Sequence, residues 1–229
     1  MPNNVNNYVK ITVPKEQKDA FLEFVEKISY GNDITEGISY DKVIPCPKEY
    51  HIDQDKKRPH YDSSSTNDMA LKDYTTYVLH GRAVPHGNKL ADRGYTKQEL
   101  AETIGKIMYE NEQKYGAKDW YDWCYENWST KWDAYDTEAE YAETRENLTY
   151  DWQFTSAWNP PYKVLEKLFK TIMEKFPNAS IVGGCDGEID ERGEFTVNNV
   201  GDITWTWSSN FDDDEYDDED DEEYDAYED

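Results

Sequence analysis

The chain has few basic residues for its size, and this shortage excludes several kinds of partner. Its 229 residues include 24 Lys and Arg against 50 Asp and Glu, which gives a formal net charge of −26 at pH 7. Residues 211–229 contain fourteen acids and no base, so the remainder of the chain carries −12. Such a surface repels phosphate groups, so it disfavours direct binding to DNA, RNA or an anionic membrane. It favours a basic protein partner, which can itself be a nucleic-acid-binding protein.

Cysteines and long apolar runs are also scarce. The three cysteines, at positions 46, 124 and 185, are odd in number and widely spaced, which argues against a disulfide framework and suits a reducing cytosol. The first residues, MPNNVNNYVKITV, lack the charged and then apolar pattern of a signal peptide. No run of about 18 apolar residues occurs, so the sequence predicts a cytoplasmic protein without a membrane span.

Motifs for catalysis and metal binding are missing as well. No Gly-x-Ser-x-Gly, no phosphate-binding Gly-Lys-Ser/Thr and no cysteine with a local histidine occurs. Residues 186–196, DGEIDERGEFT, resemble a calcium loop, but the glycine needed for its sharp turn would stand at position 191, which is Glu. The four histidines have no spacing typical of zinc ligands. We therefore expect neither an enzyme nor a bound metal or other cofactor.

The remaining pattern is one of strands and amphipathic helices. Apolar and polar residues alternate over residues 5–13, which predicts a strand. In the following segment, residues 14–30, the apolar residues have the spacing of a helix. Residues 149–158 predict another strand, and residues 160–176 a second amphipathic helix. Two last strands are predicted at 179–189 and 193–207. The order predicts an α+β fold, in which a twisted sheet carries helices on one face.

The predicted domain organisation is one domain over residues 1–210 and an acidic tail over residues 211–229. Within the domain, residues 67–116 are interpreted as a helical insertion, whose last helix begins at the capping box 96–99. The tail has too few aliphatic residues to offset the entropy of ordering, and its charges repel one another, so we expect it to be disordered when alone. A solubilising role is the simplest alternative for the tail.

Aromatic residues are concentrated in residues 119–136, DWYDWCYENWSTKWDAYD, which hold four tryptophans and three tyrosines. Buried aromatics supply much of the area of a small core, so we interpret them as a structural cluster. A stacking surface for a ligand and a protein-contacting patch are the alternatives, because tryptophan and tyrosine are also favoured at interfaces. The predicted structural aromatic cluster consists of Trp120, Trp123, Trp128, Trp132 and Trp158.

Several short motifs resemble the blocks of one known family. Residues 127–135, NWSTKWDAY, are similar to the YGTKW block of the YubB-type ferredoxin-like domain family of phages and plasmids. Residues 154–161, FTSAWNPP, are similar to the strand-to-helix junction of that family, and Met1 to Asn3 and Pro45 to Pro47 follow its order. Ser129 stands where the family usually has Gly, and the closing glycine block is only faintly echoed at residues 183–188.

The resemblance covers about residues 1–210 and implies a ferredoxin-like βαββαβ sheet with helices on one face. It also implies a phage or another mobile element as the source, and hence the cytoplasm of an infected or plasmid-bearing bacterial host. It implies no established activity and offers no catalytic residues.

The charge, the missing motifs and the resemblance together predict a counter-defence inhibitor. We expect it to bind a basic nucleic-acid-binding site on a CRISPR effector, a restriction enzyme or a similar host defence protein, partly as a DNA mimic. The alternative is a non-catalytic module that binds a small ligand or peptide through residues 119–136. No oligomeric state is predicted. The predicted partner-binding residues are Asp212, Asp213, Asp214, Glu215, Tyr216, Asp217, Asp218, Glu219, Asp220, Asp221, Glu222, Glu223 and Tyr224.

Overall fold

A computed structural model describes residues 3–50, 97–187 and 191–209 of the chain. Its strands are β1 (Asn4–Pro14), β2 (Tyr135–Glu143), β3 (Asn147–Ala157), β4 (Ser180–Gly187), β5 (Glu191–Val197) and β6 (Ile203–Ser209). Its helices are α1 (Lys18–Ile28), α2 (Tyr40–Val43), α3 (Lys97–Tyr115), α4 (Trp120–Trp128) and α5 (Tyr162–Lys175). Short 3-10 turns occupy Lys15–Gln17, Tyr30–Asn32, Ile34–Glu36 and Lys48–Tyr50.

The six strands form one open sheet in the order β2-β3-β1-β4-β5-β6, and all neighbouring strands are antiparallel. The predicted α+β class is therefore confirmed. The sheet differs from the predicted ferredoxin-like βαββαβ sheet, which has four strands, because two further strands follow β4. The predicted strands at 5–13 and 149–158 and the predicted helix at 160–176 correspond to β1, β3 and α5.

Strand β1 lies inside the sheet, between β3 and β4, and its side chains alternate between buried and exposed positions. Val5, Val9, Ile11 and Val13 are buried. The residues that alternate with them from Asn4 to Lys10 point to the other face and are exposed, namely Asn4, Asn6, Tyr8 and Lys10. This two-residue period places one apolar face against the core and leaves the opposite face polar.

The helices pack on the face that β1 buries. The Phe21 ring of α1 meets Tyr150 of β3 at 6.2 Å between ring centres, and Phe169 of α5 meets Phe195 of β5 at 5.5 Å. Trp128 of α4 joins the same core through Tyr40, whose ring also meets Trp152 of β3 edge-on at 6.5 Å. Edge-to-face and tilted ring pairs of this kind hold a core that is short of aliphatic residues.

The predicted single strand at 193–207 is wrong, because β5 and β6 form a hairpin there. The Asn198 side-chain oxygen accepts hydrogen bonds from the backbone N–H of Val200 at 3.0 Å and of Asp202 at 2.9 Å. Gly201 has a φ of 89°, which a residue with a side chain rarely adopts. The Asn198 side chain and the positive φ of Gly201 thus fix a turn inside the apparent strand.

The two edges of the sheet differ in charge. Strand β2 carries four acids and no base, and β6 carries no charged residue. The sequence did not predict β2 because acids have low strand propensity. Its pairing with β3 also shifts register between Tyr135 and Glu138. Charged side chains on an edge strand discourage further strand pairing, so β2 is a protected edge.

Parts of the predicted domain organisation lie outside the described residues, namely residues 67–96 of the helical insertion and the acidic tail 211–229. The last helix of the insertion is present as α3, and Gly116 ends it with a φ of 79°. Positive φ after the last helical residue is typical of a glycine cap.

Candidate functional site

The aromatic segment 119–136 contributes mainly to the core. Trp120, Trp123 and Trp128 of α4 are all buried. The Trp128 indole N–H donates to the carbonyl of Ile44 at 2.9 Å, and its ring meets Tyr40 edge-on at 5.9 Å. These three rings are therefore inaccessible to an external ligand.

Helix α4 is fixed at both ends by polar residues. The Asp119 carboxylate accepts a hydrogen bond from the backbone N–H of Asp122 at 3.0 Å and caps the first turn. At the other end Ser129 takes a left-handed conformation with a φ of 66°, and its N–H donates to Tyr125. Ser129 stands where the resembling block has Gly, so this chain forms a glycine-type helix cap with serine.

The Asp119 cap is also an unusual carboxylate. It is 4% exposed, and one of its oxygens has no hydrogen-bond partner among the described residues. Burial raises the pKa of Asp119 to about 6, although the neighbouring Lys118 ammonium acts in the opposite direction. Lys118 is itself buried and pairs with Asp122. The charge network at this helix start is therefore mostly shielded from water.

Trp132 and Trp158, the other two members of the predicted cluster, lie nearer the surface. Trp132 is half-buried and Trp158 is 38% exposed. Between their rings lies the buried Lys131 ammonium, 4.7 Å from the ring centre of Trp132 and 5.0 Å from that of Trp158. A cation over tryptophan faces is attracted by the ring quadrupole, so Lys131 connects the two indoles.

Trp158 has a strained backbone. Its φ of 73° is left-handed, a conformation that costs a residue with a side chain about 1 kcal/mol or more. Its N–H donates to the carbonyl of Asn3 at 2.8 Å, which ties the end of β3 to the start of β1. The strained conformation is therefore held in place by a backbone hydrogen bond between the residues that flank these two neighbouring strands.

An uncharged aromatic cleft lies beside Trp158, at the end of the sheet where β1 begins and β4 and β6 end. Its volume is about 170 Å³. No charged side chain of the described residues lines it, although 32% of the chain is charged. The asparagine and aromatic residues that line it are Asn3, Asn4, Trp158, Asn159, Tyr162 and Trp207.

A stack of rings supports one wall of the cleft. Trp207 is 47% exposed and lies parallel to Trp205, with ring centres 5.3 Å apart and planes 13° apart. Tyr162, the first residue of α5, meets Trp205 edge-on at 5.4 Å. A side chain on Gly193 would collide with the Trp207 ring, so this glycine leaves room for the wall.

The second surface of interest is the sheet face opposite the helices, called here the open face. Strand register places five acids and two bases of the described residues on it. Both bases lie near acids, since Lys10 pairs with Asp151 at 3.2 Å and Arg192 with Glu194 at 4.0 Å. Its charged residues are Lys10, Glu138, Glu140, Asp151, Asp186, Arg192 and Glu194.

The predicted partner-binding residues of the tail lie outside the described residues, so the structure places neither Asp212 nor any residue up to Tyr224. The sequence interpretation also missed the cleft, because Asn3, Trp158 and Trp207 are far apart along the chain. The alternation Thr-Trp-Thr-Trp at 204–207 was the available indication, because it places Trp205 and Trp207 on one face of a strand.

Other classes of site have little support in the described part of the chain. Within residues 3–50, 97–187 and 191–209, no group of three His, Cys, Asp or Glu side chains is arranged to hold a metal ion. All three cysteines are buried free thiols. No helix that the structure describes is both long and apolar enough to cross a bilayer. No family model, no curated protein and no solved structure matches this chain.

Proposed function

We propose that this protein is a phage or mobile-element inhibitor of host defence, which binds a basic nucleic-acid-binding site and blocks it. The observation that carries the proposal is the anionic open face. Besides the fourteen acids of the tail, the chain thus carries fixed negative charge on a rigid surface, as a duplex presents its phosphates on a rigid scaffold. The partner would be a CRISPR effector, a restriction enzyme or a similar basic protein. No catalytic role is proposed.

The distribution of charge on the open face favours a cationic partner. Both bases are close to acids, whereas Glu138 and Glu140 of β2 are exposed and have no ion pair among the described residues. Carboxylates on one face of a strand lie about 7 Å apart, since successive side chains alternate and each residue rises about 3.3 Å. Such a row steers arginine and lysine side chains to the face, and the association is weakened by salt.

A relation to the YubB-type family belongs to the same proposal. The four strands β2, β3, β1 and β4 are neighbours in the sheet, and α1 and α5 join them as strand–helix–strand–strand–helix–strand. This supports interpretation of the fold as a ferredoxin-like sheet extended by the β5–β6 hairpin. The bacterial cytoplasm, as the place of action, follows from the family resemblance.

The test is capture followed by an activity assay. The immobilised full chain is exposed to a bacterial lysate at low salt, and bound proteins are eluted with rising NaCl. Each eluted nucleic-acid-processing enzyme is then assayed for nucleic-acid binding with and without the protein. We expect at least one basic enzyme to lose its nucleic acid as the protein is added. Capture without loss of nucleic-acid binding would contradict the proposal.

A matched pair of variants assigns the effect to the open face. Glu138→Gln with Glu140→Gln removes two charges from that face, and Glu26→Gln with Glu174→Gln removes two from exposed helix positions. We expect the first pair to weaken binding to the captured enzyme and to reduce the salt dependence of the affinity. The second pair changes the net charge by the same amount as the first and serves as the control. Equal losses of affinity in both double variants would show that net charge alone is responsible.

The alternative function, ligand or peptide binding through residues 119–136, receives less support from the geometry. The α4 tryptophans are buried, so the accessible indoles are those at the cleft, Trp158 and Trp207. A ligand-binding module would therefore use the cleft. This alternative would be favoured if Trp207→Ala abolished inhibition of the captured enzyme while the open-face variants inhibited it as well as the unmodified protein does.

A further inference from the structure

The aromatic cleft is lined by Trp207 of β6, the last described strand before the acidic tail in the sequence. Trp207 forms one wall, and the tail starts at residue 211, only four residues further along the chain. The cleft is small, since sites for drug-sized ligands usually have about 300 Å³ or more. Its volume of about 170 Å³ suits a single ring of a larger segment.

The tail supplies rings of this kind among its acids. Residues 211–216 read FDDDEY, so a phenylalanine and a tyrosine flank four consecutive acids. Tyr216 lies nine positions after Trp207, and an extended chain of that length spans about 30 Å. The tyrosine can therefore return to the cleft without strain. Because the connection is covalent, the effective concentration of the ring at the cleft is in the millimolar range.

The charge beside the cleft complements the acids between those rings. Helix α5 begins at Tyr162, which lines the cleft, and the first turn of a helix attracts negative charge through its free N–H groups. Lys163 and Lys167 are exposed on the first two turns of α5. Over its whole length α5 carries four lysines against two glutamates, in contrast to the anionic open face, and Lys170 among them pairs with Glu166 and Asp202. The four acids would thus meet cationic surface next to an uncharged pocket.

We propose that the tail docks on its own domain, with the Tyr216 ring in the Trp158–Trp207 cleft and Asp212 to Glu215 against the start of α5. The Tyr216 ring stacks between the exposed indoles, and its hydroxyl group meets the amide side chains at the rim. The docked tail neutralises the basic surface of α5, and a more basic partner has to displace it. This docking needs no partner, so it stands apart from the proposed inhibition.

The test compares two tyrosines of the full chain. Two-dimensional ¹H–¹⁵N spectra resolve the indole N–H of each tryptophan, and Trp→Phe variants assign them. We expect Tyr216→Ser to shift the Trp158 and Trp207 indole resonances and to leave the buried Trp128 resonance in place. The matched control, Tyr227→Ser, removes a tyrosine ring eleven residues further along the tail. It should leave all three indole resonances in place.

A second pair of measurements separates docking from indirect effects. Nuclear Overhauser contacts between the Tyr216 ring and the Trp207 indole are expected in the unmodified chain and absent in Tyr216→Ser. Lys163→Gln with Lys167→Gln should move the Trp207 resonance part of the way towards its position in Tyr216→Ser. Unchanged cleft resonances in Tyr216→Ser, equal shifts in Tyr227→Ser, or a shift only in Phe211→Ser would each overturn the proposal. All measurements are made without a partner, so they fail or succeed independently of the capture experiment.

Discussion

Two groups of tryptophans serve different purposes in this molecule. Those of α4 lie within nine residues of the sequence and are buried, and Trp128 also donates a hydrogen bond to the Ile44 carbonyl. Trp158 and Trp207 are about fifty residues apart in the sequence, line the same cleft at one end of the sheet and are 38% and 47% exposed. Aromatic density along the chain therefore marks the core, whereas the accessible rings are brought together only by the topology of the sheet.

The largest expected effect tests the buried group. Trp128→Ala removes a fully buried side chain and leaves the Ile44 carbonyl without its indole donor. We expect a loss of about 3 to 5 kcal/mol in the free energy of unfolding. Urea denaturation followed by circular dichroism measures it. Trp128→Phe, which keeps most of the volume, should cost clearly less, and an equal cost would show that packing is not the cause.

The Asp119 cap at the start of α4 predicts a pH dependence. Its pKa is about 6 in the folded protein against 3.8 ordinarily, so the unfolded chain releases this proton more readily. Stability is therefore greatest below pH 3.8 for this group and falls as the pH rises towards 6.

Asp119→Asn should remove that fall while keeping a good capping side chain. Between pH 4 and 7 the unfolding free energy of the unmodified chain should decline by about 2 to 3 kcal/mol relative to the variant. Paired denaturation curves at several pH values measure the difference. A constant difference across this range would show that Asp119 has an ordinary pKa.

Backbone strain at Trp158 gives a smaller effect with an unusual direction. Glycine adopts the left-handed conformation of this position without a steric penalty, whereas alanine does not. Trp158→Gly should therefore be more stable than Trp158→Ala by about 1 kcal/mol, although glycine usually destabilises. Thermal unfolding of the two variants checks the order, and a more stable alanine variant would mean that the chain relaxes at this position.

The smallest change is expected at Trp207. Trp207→Ala loses the stack on Trp205 but buries no new polar group, because its side chain is almost half exposed. We expect a cost of about 1 kcal/mol or less in the free energy of unfolding. A cost as large as that of Trp128→Ala, measured under the same conditions, would remove the distinction between the two groups.

Sequence reasoning succeeded where one period dominated a segment. The alternation in β1 and the helical stripe of α5 need only local spacing, and both elements were predicted close to their observed limits. It failed at β2, whose acids hide its extended conformation, and at the β5–β6 hairpin, where Asn198 and Gly201 fix a turn that composition alone does not reveal.

The cleft was beyond sequence reasoning for a different reason. Its walls come from three strands, the loop after β3 and the start of a helix, so their proximity depends on the strand order and not on any local pattern. The open face was equally hidden, because the acids of β2, β4 and β5 share a face only through register. Net charge predicted the sign of that face but not its location.

The unequal edges of the sheet limit how copies of this protein can assemble. Fibre growth through a sheet needs two edges that accept a neighbour, one for each direction of propagation. Here one edge strand, β6, presents only Thr, Trp, Ser and Ile, whereas the other, β2, carries four carboxylates, of which Glu143 is paired with Lys15 and Lys18. Pairing at the β6 edge would therefore not propagate through the sheet, because the acids of β2 disfavour a further strand at the other edge.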